Sequence, residues 1–263
     1  MKAHRASNHS FKFQKKLAFK VLLSILLLIS VSLHTFGFRL FDSLNFQGPE
    51  SLKKSSTKKN VIFFVTDGMG PASLSLTRSY RQYLEELPID DVLELDKYLI
   101  GSSRTRSSNS LVTDSAAGAT AFSCALKSYN GAIGVDPEKN PCGTLLEGAK
   151  LKGYLTGLVV TTRITDATPA AFSAHADYRF QEDLIAQHQL GEYPLGRTVD
   201  LMLGGGRTHF YPPGADPKFG SRGSRADARN LIEEAQAAGW QYAGNRAEFD
   251  QLKLGKNVTL PLL

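Results

Sequence analysis

Apolar residues recur along the chain in short runs that polar, glycine-containing segments separate. Residues 61–65 (VIFFV), 156–162 (TGLVVTT) and 199–203 (VDLML) are mainly apolar, which is typical of buried strands in a parallel sheet. Residues 71–84 and 226–238 are instead rich in helix-forming residues. Strands that alternate with helices in this way predict an α/β three-layer sandwich with a mostly parallel central sheet.

The N-terminal part of the chain has a different pattern. Residues 1–20 are basic, and residues 21–38, which begin VLLSILLLISV, are apolar and near the shortest length that spans a bilayer. No clear cleavage site follows, so we predict an uncleaved signal-anchor helix rather than a cleaved signal peptide or a buried core helix. The charges before it predict a cytoplasmic N-terminus, with residues 39–58 as a stem and residues 59–263 as a lumenal domain.

The basic charge of the chain belongs to this N-terminal arm. Of 31 basic and 25 acidic residues, residues 1–20 hold six basic ones, and residues 39–59 hold five basic and two acidic ones. Residues 60–263 therefore contain 20 basic and 23 acidic residues, a balance that does not suit nucleic-acid binding.

The overall composition excludes two further classes of protein. A hydrophobic fraction of 42% is enough to bury a core, which excludes disorder as the main state. Two cysteines are too few for a disulfide scaffold. A lumenal compartment permits a bond between Cys124 and Cys142, but the sequence does not give their distance and favours free thiols.

Polar side chains follow or lie near the ends of predicted strands at three places. Asp67 comes after the first apolar run, Ser115 lies within the segment TDSAAGAT, and Asp166 and Thr168 follow the second run. Ligand sites in such folds collect at the carboxyl ends of parallel strands, so these groups can converge. Carboxylate and hydroxyl oxygens there suit a metal ion, whereas helix capping is the alternative for each.

Ser115 is expected in the first turn of a helix built from small residues. Backbone N–H groups and the helix dipole favour an anion such as phosphate at that position. No histidine lies near Ser115 in sequence and no G-x-S-x-G motif is present, so we predict activation by a metal ion rather than a Ser-His-Asp triad. Arg179 provides a guanidinium group that suits bidentate phosphate binding, with a surface ion pair as the alternative.

Four segments closely resemble the alkaline phosphatase family, in order and with family-like spacing. They are residues 60–80 (NVIFFVTDGMGPASLSLTRSY), 112–136 (VTDSAAGATAFSCALKSYNGAIGVD), 157–179 (GLVVTTRITDATPAAFSAHADYR) and 201–207 (LMLGGGR). The resemblance implies the alkaline phosphatase-like α/β sandwich and the hydrolysis of phosphate monoesters through a phosphoserine intermediate. It also implies two zinc ions and one magnesium ion as cofactors.

The resemblance also implies roles for individual residues. Ser115 matches the serine that is transiently phosphorylated and that contacts the metal ions, and Arg179 matches the arginine that clamps the phosphate. Asp67 matches the aspartate shared between magnesium and a zinc, and Asp166 and Thr168 match magnesium ligands. In this family zinc lowers the pKa of the serine hydroxyl and later of water, and it stabilises the leaving oxygen.

The membrane-anchored arrangement resembles the vacuolar, type II members of the family, and the resemblance implies a homodimer. The family takes a glutamate, two aspartates and three histidines from its carboxyl-terminal half as further metal ligands, and those motifs are not found here; His175 is expected to be a packed residue. We therefore expect an N-terminal fragment that lacks the carboxyl-terminal half and is inactive and poorly soluble by itself. The alternatives are a truncated or degenerate member without activity, or a related metal-dependent hydrolase or mutase.

Overall fold

The computed structural model of the protein describes residues 59–214, 222–253 and 255–263. In these residues the helices and strands are, in chain order, α1 Pro71–Leu84, α2 Ser115–Cys124, α3 Leu145–Leu151, β1 Gly157–Arg163, α4 Ala167–Ser173, α5 Glu182–Leu190, β2 Leu201–Gly205, α6 Leu231–Ala237 and α7 Arg246–Asp250. Short 3₁₀ helices occupy Glu94–Tyr98 and Arg207–His209. No helix in the described ranges is long and apolar enough to cross a membrane. The predicted tail, anchor and stem lie outside the described residues.

The two strands β1 and β2 pair in parallel, with Gly157 opposite Leu201. Helices α4 and α5 lie between them in sequence and supply the crossover that a parallel pair requires. The predictions of strands at residues 156–162 and 199–203 are confirmed, with bounds shifted by one or two residues. The described residues thus form an α/β fold with a small parallel sheet.

Glycine in β2 allows the two strands to approach each other closely. A Cβ atom added at Gly204 would lie 2.6 Å from the Val160 Cγ2 atom on β1, a distance that real Cβ contacts do not show. Gly206 follows the strand with φ of +96°, a conformation that costs glycine little. The GGG segment that ends β2 therefore has a structural reason for two of its glycines.

One continuous set of buried apolar side chains joins both strands to the helices α2 to α6. Its members include Ala119, Leu146, Leu158, Phe172, Ala186, Met202, Leu231 and Trp240. A second buried set consists mostly of alanines, and Ala116 of α2 and Ala167 and Ala170 of α4 are fully buried in it. Because the distance between packed helices depends on the side chains at the contact, these alanines let α2 and α4 pack closely.

The predicted helices differ from the observed ones mainly in where they begin. The prediction for residues 71–84 is confirmed by α1. The helix predicted at residues 226–238 begins only at Leu231, because the Asn230 side chain caps its first turn and Ala228 takes a φ of +58° that no α-helix accommodates. It ends before Gly239, whose φ of +91° is typical of a helix terminus.

The prediction of a buried strand at residues 61–65 is wrong for this structure. Residues 59–66 have no regular secondary structure, and the side chains of Val61, Ile62 and Phe64 are 78%, 78% and 83% exposed. A strand needs a neighbouring backbone that supplies a ladder of hydrogen bonds. Within the described part of the chain, residues 61–65 make no backbone hydrogen bond of that kind. The apolar run therefore predicted a strand that the structure does not form, and of its five side chains only Val65 is partly buried against the core.

Cys124 and Cys142 form a disulfide, so the preference for free thiols is also wrong. Their Cα atoms are 5.9 Å apart, a distance that a disulfide bridges without backbone movement. The loop after α2 returns to the end of that helix, and the Cys142 N–H donates a hydrogen bond to the Gly134 carbonyl oxygen at 3.0 Å. A separation of 18 residues along the chain does not reveal this return, so the pairing could not be predicted.

Candidate active site

Three polar side chains meet around the guanidinium group of Arg179. Its Nη1 atom donates to the Ser115 Oγ atom at 3.0 Å and lies 3.3 Å from the Asp114 Oδ2 atom. Its Nη2 atom donates to the Asp166 Oδ1 atom at 3.0 Å. Three residues selected from the sequence, Ser115, Asp166 and Arg179, are therefore brought together, although Ser115 and Arg179 are 64 residues apart.

Ser115 is the first residue of α2, as predicted, but it is not the cap of that helix. The cap is Asp114, whose side chain accepts a hydrogen bond from the Ala117 N–H at 2.9 Å. The Asp114 N–H in turn donates to the Asn130 Oδ1 atom at 3.1 Å, which fixes the start of the helix. Because Asp114 does the capping, the Ser115 hydroxyl remains available at the helix N-terminus, where the dipole favours an anion.

Asp166 has two functions in the structure. It caps α4 immediately after β1, and its Oδ1 atom accepts a hydrogen bond from the Ala167 N–H at 2.8 Å. The same Oδ1 atom accepts the hydrogen bond from Arg179. The capping alternative considered from the sequence is thus true, and it coexists with the place of Asp166 in the cluster. Thr168 lies in the first turn of α4 and is partly buried.

Arg179 is held from both its backbone and its side chain. Its N–H donates to the Gly131 carbonyl oxygen at 2.8 Å, and its side chain is only 21% exposed. Two carboxylates and a hydroxyl surround the guanidinium, so the alternative of a simple surface ion pair does not describe it. The buried Nε atom has no hydrogen-bond partner within the described residues. This leaves a donor that an anionic oxygen can satisfy.

Asp67 is a sequence-selected residue that the structure does not bring into the cluster. It lies in a turn, its side chain is exposed, and it makes no hydrogen bond or ion pair with other described residues. Its predicted role, an aspartate shared between two metal ions, therefore stays a prediction. Residues 61–65 just before it form no strand in this structure, so Asp67 is not held at the end of one.

A zinc or magnesium centre is not completed by the residues that the structure describes. Among them, no group of three or more His, Cys, Asp or Glu side chains is placed to hold a metal ion. Asp166 and Thr168 provide two oxygen donors, but Asp166 already has Arg179 and Arg163 facing its two carboxylate oxygens, the latter at 3.6 Å. Zinc takes about four ligands and magnesium about six, so this donor set does not fit either ion without further ligands.

His175 is a packed residue, as expected. Its Nδ1 atom is 2.6 Å from the Gly134 carbonyl oxygen, its Nε2 atom is 2.7 Å from the Glu147 Oε1 atom, and its ring stacks on Tyr193. Burial raises the pKa of Glu147, but hydrogen bonds from His175 and from the Thr144 N–H outweigh burial, and the net pKa is lowered. The buried Glu147 carboxylate thus ties α3 to the segment between α4 and Arg179.

Three residues of the site region were not singled out as site residues from the sequence. Asp114 directly precedes Ser115 in the segment TDSAAGAT, and the structure places it both at the N-terminus of α2 and against Arg179. Arg163 and Glu182 form an ion pair at 2.8 Å beside Asp166. Arg163 could have been selected from the sequence, because it lies at the carboxyl end of β1 and three residues before Asp166. Nothing in the sequence indicates Glu182.

Comparison with known proteins places these observations in a family. The model of the alkaline phosphatase family matches residues 58–263. The repressible alkaline phosphatase of Saccharomyces cerevisiae is 73% identical over 213 residues, which are 80% of this chain and 38% of the yeast protein. The alkaline phosphatase of Schizosaccharomyces pombe is 54% identical over 83% of this chain and 40% of its own length.

Solved structures agree with this assignment. The alkaline phosphatase of Thermus thermophilus superposes with a TM-score of 0.60 and 30% identity, over 72% of this chain and 37% of that structure. The alkaline phosphatase of the Antarctic bacterium TAB5 superposes with a TM-score of 0.55 and 32% identity, over 68% of this chain and 46% of that structure. The chain spans about two fifths of the length of the curated relatives it matches. Over that length, the chain belongs to the alkaline phosphatase family.

Proposed function

We propose that the protein hydrolyses phosphate monoesters through a phosphoserine intermediate on Ser115. One observation supports the proposal above the others: the Ser115 hydroxyl lies at the N-terminus of α2 and 3.0 Å from the Arg179 guanidinium. A nucleophile and an anion-binding group are thus adjacent. Membership of the alkaline phosphatase family is consistent with this chemistry.

In the proposed reaction, Arg179 binds non-bridging oxygens of the substrate phosphate and neutralises their charge. Asp114 and Asp166 hold the guanidinium from two sides, so its orientation is set before the substrate binds. The Ser115 oxygen forms a bond to phosphorus and loses its proton, while the bond to the alcohol oxygen breaks and that oxygen is protonated. Water then attacks phosphorus, inorganic phosphate departs, and Ser115 regains its hydrogen.

We extend the proposal to the cofactors that the family resemblance implies, two zinc ions and one magnesium ion. Asp67, Asp166, Thr168 and Ser115 are the residues of this chain proposed as ligands. Carboxylate and hydroxyl oxygens are suitable donors for magnesium, and zinc also binds carboxylate. The remaining ligands would have to come from outside the described residues.

The substrate class can be tested with two chromogenic esters. The protein should hydrolyse a nitrophenyl phosphate monoester with a kcat/KM at least roughly a hundredfold above that for the bis-nitrophenyl diester, because a site built around a fully ionised phosphate rejects an analogue that has one charge and one non-bridging oxygen fewer. The measurement uses the longest natural form of the protein that contains these residues, with zinc and magnesium present. Equal rates for both esters would contradict a monoesterase, and phosphate binding without turnover would support a non-catalytic family member.

We further propose a type II membrane protein with a lumenal catalytic domain, located in the vacuole and assembled as a homodimer. The proposed membrane topology is based on the basic residues 1–20, which precede the apolar residues 21–38. The disulfide between Cys124 and Cys142 is consistent with an oxidising lumenal compartment.

The orientation can be tested by protease treatment of sealed vesicles. The protease should remove only the tail of residues 1–20 and leave residues 59–263 intact, because the membrane protects a lumenal domain. Addition of detergent is the control, since it should make the domain accessible. Digestion of the domain in intact vesicles would show that the orientation is wrong.

A further inference from the structure

The guanidinium group of Arg163 lies between two carboxylates. Its Nε atom donates to the Glu182 Oε2 atom at 2.8 Å, whereas its Nη2 atom is 3.6 Å from the Asp166 Oδ2 atom. The first contact is a short, charge-assisted hydrogen bond and the second is a long ion pair. Asp166 therefore has Arg179 as its close arginine partner, at 3.0 Å, and Arg163 as its distant one.

Glu182 is well suited to retain Arg163. It is the first residue of α5, its side chain is only 7% exposed, and its Oε2 atom has three polar partners around it. Besides Arg163, these are the Thr165 hydroxyl at 2.7 Å and the His209 Nε2 atom at 3.1 Å. A buried carboxylate with this many partners is costly to leave unpaired, so Glu182 holds its donors firmly.

We propose that Glu182 is a positioning residue, which retains Arg163 and so prevents Arg163 from taking Asp166 away from Arg179. This inference rests on the proposed function, because it concerns the orientation of the phosphate-binding arginine. Asp166 and Glu182 are the two carboxylates that Arg163 contacts within the described residues. If Glu182 loses its charge, the arginine has Asp166 as its remaining carboxylate partner there.

The consequence for Arg179 follows from the geometry of Asp166. A close contact between Arg163 and the Asp166 Oδ2 atom would rotate the carboxylate, and its Oδ1 atom would then leave the Arg179 Nη2 atom. Arg179 would keep Asp114, at 3.3 Å, as its carboxylate partner. A guanidinium held from one side is less well oriented for bidentate phosphate binding. Phosphate affinity should therefore fall when Glu182 is neutralised.

The test measures the affinity for inorganic phosphate by calorimetry in Glu182→Gln, Arg163→Met and the double variant. We expect Glu182→Gln to weaken binding by roughly five- to tenfold, which is a usual size for coupling between contacting side chains. Arg163→Met should stay within about twofold of wild type, because its contact with Asp166 is long and partly exposed. The double variant should recover the affinity of Arg163→Met, because the competing arginine is gone.

Glu192→Gln is the matched control, since Glu192 lies just after α5 and pairs with another arginine, Arg229. The thermal unfolding temperature of each variant distinguishes a loss of the fold from a loss of the orientation of Arg179. The proposal is overturned if the double variant binds as weakly as Glu182→Gln. It is also overturned if Arg163→Met alone weakens phosphate binding more than about fivefold. This second outcome can be measured even if the Glu182→Gln variant does not fold. Wild-type hydrolysis that does not depend on Ser115 would instead overturn the proposed function, whatever the Glu182 variants show.

Discussion

Replacing Arg179 by alanine should raise the dissociation constant for inorganic phosphate by about a hundredfold. The guanidinium is the cation closest to the Ser115 hydroxyl among the described contacts, and its loss leaves Asp114 and Asp166 facing the phosphate site without the positive charge between them. Two charge-assisted hydrogen bonds to phosphate are lost, with a combined loss of binding free energy of about 3 kcal/mol. The dissociation constant is measured by titration calorimetry.

Two further variants sharpen this measurement. Arg179→Lys should fall between wild type and Arg179→Ala, because an ammonium group keeps the charge but lacks the planar pair of donors. Arg246→Ala is the matched control, since that arginine pairs with Asp250 on an exposed helix and is 86% exposed. Phosphate affinity that is unchanged in Arg179→Ala would show that the phosphate site lies elsewhere.

Replacing Ser115 by alanine should lower kcat for a phosphate monoester by about a thousandfold or more, because the nucleophile is removed. Residual hydrolysis by direct attack of water can remain. The fold should be intact, since Asp114 rather than Ser115 caps α2. Phosphate affinity should change by less than about threefold, because Arg179 and its carboxylate partners are kept.

The matched control for this variant is Ser108→Ala. Ser108 is exposed and its backbone N–H, not its hydroxyl, makes its hydrogen bond, to the Ser128 carbonyl oxygen. Ser108→Ala should therefore retain wild-type kcat. A Ser115→Ala protein with wild-type kcat would contradict the assignment of the nucleophile.

The pattern of apolar and helix-forming residues predicted those elements whose structure depends on residues adjacent in sequence. The apolar runs predicted β1 and β2 to within one or two residues of their observed bounds. The helix-forming residues of α1 predicted that helix. Ser115, Asp166 and Arg179 were found from the expected ends of strands and helices together with the family resemblance. The structure adds that the guanidinium group of Arg179 contacts both Ser115 and Asp166.

Features that depend on distant parts of the chain could not be predicted. Residues 61–65 have a strand-like composition, but composition does not supply a neighbouring strand, and the side chains of residues 61–64 are exposed. The bond between Cys124 and Cys142 depends on the path of a loop. Glu182 is an ordinary helix-starting glutamate in the sequence, and only folding places it between Arg163, Thr165 and His209.

The most direct test of the central claim is to trap the phosphorylated enzyme. The longest natural form of the protein is mixed with a phosphate monoester that carries labelled phosphate and is quenched in acid within one turnover, and the labelled peptide is identified. We expect the label on the peptide that contains Ser115, and no label in Ser115→Ala treated in the same way. Label retained in Ser115→Ala, or found on another residue of the wild type, would contradict a phosphoserine intermediate at Ser115.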